Sequence, residues 1–147
     1  MFFYPEFGII GRLRKYEMEQ LRRKDLVYPE LSYAIVGVLF EVYKELGSGY
    51  QEKYYQKSVA LELQKRHLAY KEQVFVPLTY KSEPIGKYYL DFLIEDKVAL
   101  ELKKDKPFSK KNIDQVYAYL KGKSLKLGIL ANFTKEGLKF KRIVNVE

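Results

Sequence analysis

The chain has 147 residues, of which 47% are hydrophobic and none is cysteine. This composition suits one domain with a core, and it excludes a disordered chain, disulfides, thiolate metal sites and cysteine nucleophiles. The net charge is +8, and the eight lysines and two aspartates from Lys103 to Lys126 favour a polyanionic partner, with a merely solvated surface as an equal alternative.

Residues 1 to 27 are predicted to be a basic appendage to a single domain that spans residues 28 to 147. The first ten residues, MFFYPEFGII, are apolar, but Glu6 interrupts them and no basic stretch precedes them. They match neither a signal peptide nor a membrane span, so we expect a cytoplasmic protein without a membrane partner. The charged stretch GRLRKYEMEQLRRK is predicted to form a short basic helix.

Two helices are predicted next, over residues 29 to 47 and 51 to 66, because apolar residues recur there at helical spacing. In the first helix these residues are Leu31, Ile35, Val38, Val42 and Leu46. In the second they are Tyr55, Val59 and Leu63. Glu52 lies one turn before Tyr55 on the apolar stripe, where a carboxylate is costly unless it is paired. Glu52 is therefore a candidate site residue.

Strands are predicted from residue 74 onward, where the hydrophobic period changes to two. Pro77 within the first strand, residues 74 to 80, favours an edge or a bulge, and the following SEPIG is predicted to be a turn. The remaining predicted elements are strands over 88–94 and 98–103, a helix over 112–121, a strand over 125–133 buried on both faces, and a last strand over 140–146. The order α-α-β-β-β-α-β-β predicts an α+β or mixed α/β sandwich.

The hairpin formed by residues 88 to 103 has a register that satisfies the hydrophobic pattern on every rung, provided that residues 95 to 97 form a three-residue loop. The predicted pairs on its apolar face are Ile94–Val98, Phe92–Leu100 and Leu90–Leu102. The predicted pairs on its other face are Leu93–Ala99, Asp91–Glu101 and Tyr89–Lys103. Two carboxylates are thus expected directly opposite each other, with Cβ atoms about 4.5–5.5 Å apart.

This pair of acids predicts a metal site, because like charges at such a separation destabilise the sheet unless something neutralises them. Lys103 lies one side-chain step along, so a divalent cation neutralises Asp91 and Glu101 better. The chain has a single histidine, His67, and no cysteine, which favours an oxygen-ligand ion such as Mg²⁺ over zinc. Glu52 is the third candidate ligand. A partly buried salt-bridge network is an equally weighted alternative at this point.

Several motifs around the hairpin resemble those of known proteins. Asp91, followed after nine residues by Glu101-Leu102-Lys103, resembles the PD-(D/E)XK nuclease superfamily, although Leu90 replaces the proline of its name. The stretch GYQEKYY, with Gly49, Glu52 and Tyr55, resembles the signature of the GxxExxY proteins, a branch of that superfamily.

The similarity continues downstream, so that it covers about residues 25 to 146. In NIDQVYAYLK, Gln115 and Tyr119 lie one helical turn apart, which is similar to the QxxxY element of several branches. KLGILANF and GLKFKRIVN resemble the C-terminal strands of the family.

The resemblance implies a restriction-endonuclease-like core, a mixed central sheet flanked by helices, and a Mg²⁺- or Mn²⁺-dependent hydrolase that cleaves phosphodiester bonds with a metal-activated water. Its metal ligands and catalytic acids would be Glu52, Asp91 and Glu101, and Lys103 would assist the attacking water. The implied residues for nucleic-acid binding or site support are Gln115, Tyr119, Lys104, Lys106, Lys110 and Lys111. DNA is favoured over RNA as the substrate.

Two other functions are weighed against this deoxyribonuclease. One is a catalytically inactive nuclease-fold module that binds nucleic acid, against which the intact acid set argues. The other is a structural partner whose basic face meets an acidic protein. Endonuclease or exonuclease action stays open, as does the oligomeric state, although a homodimer would place two sites on two strands. Tyrosines that could stack on bases are Tyr54, Tyr88, Tyr89 and Tyr117.

Overall fold

The computed structural model describes the backbone of residues 2–3 and all of residues 27–145. The short basic helix predicted in residues 11–24 lies outside these described residues. The helices are α1 (Pro29–Leu46), α2 (Glu52–Lys65) and α3 (Lys110–Lys123). The strands are β1 (Phe2–Phe3), β2 (Tyr70–Tyr80), β3 (Glu83–Ile94), β4 (Val98–Lys104), β5 (Leu127–Thr134) and β6 (Gly137–Val144). From residue 27 onward the order is α-α-β-β-β-α-β-β, which confirms the prediction.

A single mixed sheet organises these elements, with the strand order β1-β6-β5-β4-β3-β2. β4 and β5 run parallel, and the other neighbours run antiparallel. All eight residues of β5 are buried, because helices cover both faces of the sheet at its centre. The prediction of a doubly buried strand is confirmed here.

Helices α1 and α2 cover one face of the sheet, and α3 covers the other. The first layer buries the apolar stripe of α1 against β4, β5 and β6, and Phe40 meets Phe140 edge to face with ring centroids 6.4 Å apart. In the second layer α3 packs directly on the backbone of β5 at Gly128, where a Cβ atom would lie 2.6 Å from Val116 Cγ1. Of the helices within residues 27–145, none combines the length and apolar character that a membrane crossing requires.

The β2–β3 hairpin is longer than predicted, because its turn lies earlier in the chain. Tyr80 pairs with Glu83, so the turn consists of Lys81 and Ser82, whose φ angles are 49° and 69°. Two positive φ angles are typical of the tight two-residue hairpin turn, whose twist matches that of the strands. The predicted turn over SEPIG is therefore wrong. β2 is an edge strand with an irregularity after Leu78, which agrees with the expectation drawn from Pro77.

The alternation of side chains between the two faces of the sheet is interrupted in β3 at Asp91. Phe92 packs in the core beneath α1 and α2, whereas Leu90 packs in the cluster beneath α3, so the predicted continuous apolar face breaks at Leu90. On β2 the facing residue Gln73 has a φ of 48°, outside the strand range. The two strands are thus distorted together at this level, and both acquire side-chain directions that regular alternation does not give.

Candidate active site

The backbone pairing of β3 with β4 stops just before the two acids. The pairs Ile94–Val98, Leu93–Ala99 and Phe92–Leu100 form as predicted, around the predicted loop of residues 95–97. The predicted pairs Leu90–Leu102, Asp91–Glu101 and Tyr89–Lys103 are not backbone partners. The two strands diverge instead, because the distortion at Asp91 takes β3 out of the regular ladder.

Side-chain carboxylates take the place of the missing backbone bonds. The Asp91 N–H donates to Glu101 Oε1 at 2.8 Å, and the Leu102 N–H donates to Asp91 Oδ2 at 2.8 Å. Each acid is therefore held by the backbone of the opposite strand. The two carboxylates are brought together as the sequence suggested, although by this exchange and not by direct cross-strand pairing.

Burial dominates the electrostatics of this pair. Glu101 is 8% exposed, and desolvation, followed by the charge of Asp91, raises its pKa to about 8. Desolvation also raises the pKa of Asp91, against the opposing effect of its hydrogen bonds from Leu102 and Gln73. Lys103 Nζ lies 3.8 Å from Glu101 Oε2 and offsets this only in part. When both acids are ionised, Lys103 therefore neutralises their charge only in part.

Glu52 lies near the pair without joining it. It is exposed at the first position of α2, and burial of its carboxyl group raises its pKa while the charge of Lys103 lowers it and that of Asp91 raises it. These influences place Glu52 within electrostatic range of the other acids. Across residues 27–145, however, no three acidic or imidazole side chains are close enough together to hold a metal ion.

The loop that positions Glu52 is fixed by its flanking residues. Gly49 has a φ of 98°, which a side chain would strain. Tyr55 is fully buried, and its hydroxyl donates to the Gly47 carbonyl at 2.6 Å and accepts from the Tyr50 N–H at 3.3 Å. Its ring stacks on Phe133 of β5 with centroids 4.1 Å apart. Tyr55 thus joins the start of α2 to the centre of the sheet.

Sequence reasoning missed Gln73, which contacts Asp91 from β2. Gln73 Nε2 donates to Asp91 Oδ1 at 3.2 Å and to Gln56 Oε1 at 2.9 Å. Gln56 lies one turn after Glu52 on α2, so this amide joins α2 to Asp91. A glutamine in an edge strand is ordinarily a solvent-facing residue, and no signal in the sequence sets this one apart.

A groove of about 490 Å³ opens beside the acids. It is lined by Glu52, Lys103, Lys104, Asp105, Lys106, Pro107, Ser109 and Asn112. The groove carries three lysines and two acids, and Lys104 Nζ lies 3.4 Å from the carboxylate of Asp105. Two of the four lysines predicted for nucleic-acid binding, Lys104 and Lys106, are thus groove residues.

The loop that follows β4 and carries Lys106 is hydrogen-bonded to the central strand β5. The Asp105 N–H donates to the Phe133 carbonyl at 3.1 Å, and the amide of the fully buried Asn132 donates to the Lys106 carbonyl. Asn132 is also the neighbour of Lys103 across the parallel β4–β5 pair. Asn132 therefore holds the loop that carries the groove lysines.

The other predicted residues lie outside the groove. Lys110 is paired with Asp114 at 2.6 Å, and Lys111 is exposed on the first turn of α3. Tyr119 is 3% exposed and packs within the cluster beneath α3, where burial raises its pKa. The backbone carbonyl of Gln115 accepts a hydrogen bond from the Tyr88 hydroxyl at 3.1 Å.

Among the tyrosines named as stacking candidates, Tyr54 and Tyr89 are exposed. Tyr88 and Tyr117 are half-buried.

Comparison with known proteins adds a family. A sequence model described as the PD-(D/E)XK nuclease superfamily matches residues 29–143. No curated protein matches the chain. A solved structure described as the crystal structure of SSO0001 is similar, with a TM-score of 0.51 and 16% identity over 80% of this chain and 57% of that one. This likeness concerns the fold alone, and the chain spans little more than half of that protein.

Proposed function

The chain belongs to the PD-(D/E)XK nuclease superfamily, and we propose on this premise that it is a divalent-metal-dependent nuclease that hydrolyses phosphodiester bonds in nucleic acid, with DNA favoured over RNA. One observation carries the proposal. Backbone hydrogen bonds hold Asp91 and Glu101 together at the point where β3 and β4 diverge. Lys103 lies beside them, and a groove lined by three lysines adjoins them.

The donor chemistry fits Mg²⁺ or Mn²⁺. The candidate ligands are carboxylate oxygens, which these ions prefer: Asp91 and Glu101 would hold the ion, and Glu52, which lies near them without completing a three-acid set, would have to move closer to serve as the third ligand. Glu101 is buried and Asp91 is half-buried, and burial raises the pKa of both, so a divalent cation would stabilise their ionised forms where Lys103 does so only in part. When bound, such an ion acidifies water and offsets negative charge on a phosphate.

Lysine side chains would bring the substrate to the acids. Lys103 retains 32% side-chain exposure, so that its ammonium can reach a phosphate oxygen or hold the attacking water in line. Lys104 and Lys106 line the adjoining groove and can contact neighbouring phosphates. Contacts of this kind give affinity without reading sequence.

We also infer that the chain falls in the GxxExxY branch. The support is that the three signature residues of GYQEKYY each have a physical role, since Gly49 supplies a positive φ angle before α2, Glu52 lines the groove and Tyr55 anchors the helix. The finer placement stands on these three residues.

The test is a cleavage panel of single-stranded, duplex and branched DNA and of RNA, with Mg²⁺ or Mn²⁺ and with EDTA. Glu101→Ala and Lys103→Ala should abolish metal-dependent cleavage and keep the far-ultraviolet circular dichroism of the fold. Lys123→Ala, an exposed lysine at the far end of α3, is the matched control. Undiminished cleavage by either site variant would show that the site is wrongly placed.

A second function, binding without cleavage, is favoured by one observation. Within residues 27–145 the side chain of Glu52 does not complete a three-carboxylate set with Asp91 and Glu101. Binding that weakens with salt but ignores divalent metal, with no product from any substrate of the panel, would support this function.

A further inference from the structure

Two exposed aromatic pairs lie beside the acids of the proposed active site. Tyr50 and Tyr54, 45% and 47% exposed, stand two residues on either side of Glu52 with ring centroids 6.5 Å apart. Phe75 and Tyr89, 50% and 45% exposed, meet with centroids 5.8 Å apart. Tyr89 is two residues before Asp91 on β3.

The second pair lies on the α2 side of the sheet, the side from which Gln73 joins Asp91 to Gln56 of α2. Val76, Tyr88 and Leu90 belong to the cluster beneath α3, and neighbours along a strand point to opposite faces. Phe75 and Tyr89 therefore point to the face on which α2 lies. The bond between Gln73 and Gln56 ties this part of β2 to α2.

The chemistry of these rings suits a polyanion with flat bases. Lys53 Nζ lies 5.2 Å from the centre of the Tyr54 ring, and the groove lysines Lys104 and Lys106 supply further positive charge. Proteins that hold single-stranded nucleic acid combine a basic track with aromatic rings on which successive bases stack. Bases in a continuous duplex are stacked on each other, so their faces are not available to such rings.

We propose that the Tyr50–Tyr54 pair beside Glu52 and the Phe75–Tyr89 pair beside Asp91 stack unpaired bases, so that the substrate class is single-stranded nucleic acid or the single-stranded part of a branched molecule. This inference rests on the proposed function for the identity of the site. Its test measures binding without divalent metal, so that its failure and the failure of cleavage are distinguishable.

The experiment compares fluorescence anisotropy of the full chain in EDTA with an oligothymidine of about 20 nucleotides and with a blunt duplex of equal length. The unaltered chain should bind the single strand more tightly. Tyr54→Ala and Tyr89→Ala should each weaken that binding about tenfold and change duplex binding less than about twofold. Tyr89→Phe, which keeps the ring, should bind like the unaltered chain.

The matched control is Tyr80→Ala, which removes a 61% exposed ring at the tip of the same hairpin, away from the acids. It should leave both affinities unchanged. Salt separates stacking from charge: Tyr89→Ala should keep the slope of log affinity against log salt, whereas Lys106→Ala should reduce that slope by about 0.7.

Three results would overturn the proposal. One is duplex binding as tight as single-strand binding by the unaltered chain. Another is an equal loss from Tyr80→Ala and Tyr89→Ala. The third is a sedimentation experiment in which Tyr89→Ala dissociates a dimer while its affinity for the single strand is unchanged, which would assign the exposed rings to a second copy of the chain.

Discussion

Asp91 and Glu101 each accept a hydrogen bond from the backbone of the strand that carries the other. Two acids are thereby held together by groups that no side-chain substitution removes. Because the holding groups are main-chain N–H donors, an amide side chain of the same shape can accept the same bonds. Replacing one acid by its amide should therefore remove the repulsion between the two charges and keep the geometry of the site.

The first prediction concerns pH. The pKa of Glu101 is about 8 in the folded chain against an ordinary 4.5, so the folded state keeps a proton that the unfolded chain has released. The free energy of unfolding in EDTA should therefore fall as pH rises from about 4.5 to about 8. Urea denaturation at pH 5 and pH 8 measures this fall.

Glu101→Gln should flatten that part of the profile and be the more stable chain at pH 8 in EDTA, by at least several degrees in melting temperature. Mg²⁺ should stabilise the unaltered chain at pH 8 more than this variant. A profile that falls just as steeply in Glu101→Gln would contradict the assignment of the raised pKa.

The second prediction concerns Gln73. Gln73→Gly removes the amide that contacts Asp91 but suits the φ of 48°, where a glycine is unstrained. The melting temperature should hold or rise while cleavage falls by roughly tenfold, because Asp91 loses its partner on β2. In the unaltered chain the hydrogen bond from Gln73 lowers the pKa of Asp91. Its loss should raise that pKa and shift the pH profile of cleavage to higher pH.

Lys81→Gly is the matched control for Gln73→Gly, with a φ of 49° in the turn at the far end of the hairpin. It should keep both the rate and its pH profile. Equal cleavage by the two glycine variants would remove Gln73 from the site.

The third prediction concerns the anchor of α2. Tyr55→Phe keeps the ring stacked on Phe133 and loses the hydroxyl bonds to Gly47 and Tyr50. The free energy of unfolding should fall by about 1–3 kcal/mol. Cleavage should fall further than stability explains, because the loop before Glu52 is released. Kinetics measured well below the melting temperature separate the two effects, and an unchanged rate would leave Tyr55 a purely structural residue.

The fourth prediction concerns the packing of α3. Gly128→Ala introduces a Cβ where Val116 Cγ1 is 2.6 Å away, which should cost about 1–3 kcal/mol of stability. Val116→Ala in the same chain vacates that space, so the double variant should be more stable than Gly128→Ala alone. If the second change adds only its own loss, the contact between α3 and β5 is not as described.

Regular periodicity made most of the architecture predictable. The apolar stripes of α1 and α2, the doubly buried β5 and the loop of residues 95–97 follow from side-chain spacing, and so does the proximity of Asp91 to Glu101. The divergence of β3 from β4 could not be predicted, because alternation assumes a regular strand and Asp91 is where the strand is irregular. Gln73 was missed for the same reason, since its role depends on a backbone angle.

Local patterns also failed where tertiary packing decided the outcome. The residues of SEPIG are typical of turns, yet the turn consists of Lys81 and Ser82, and Glu83 already belongs to β3. The twist of the hairpin favours this two-residue connection. Tyr119 lies one helical turn after Gln115, but it is buried in the cluster between α3 and the sheet, which includes residues of distant strands.

The attachment of Asp105 and Lys106 to β5 has a consequence for how the groove meets its ligands. Two hydrogen bonds hold the main chain beneath these charges to the middle of the sheet, so outward movement of this wall would have to break them. Adjustment to nucleic acids of different curvature falls instead to the long, rotatable stems of Lys104 and Lys106. Their ammonium groups change position by side-chain rotation while the main chain stays in place.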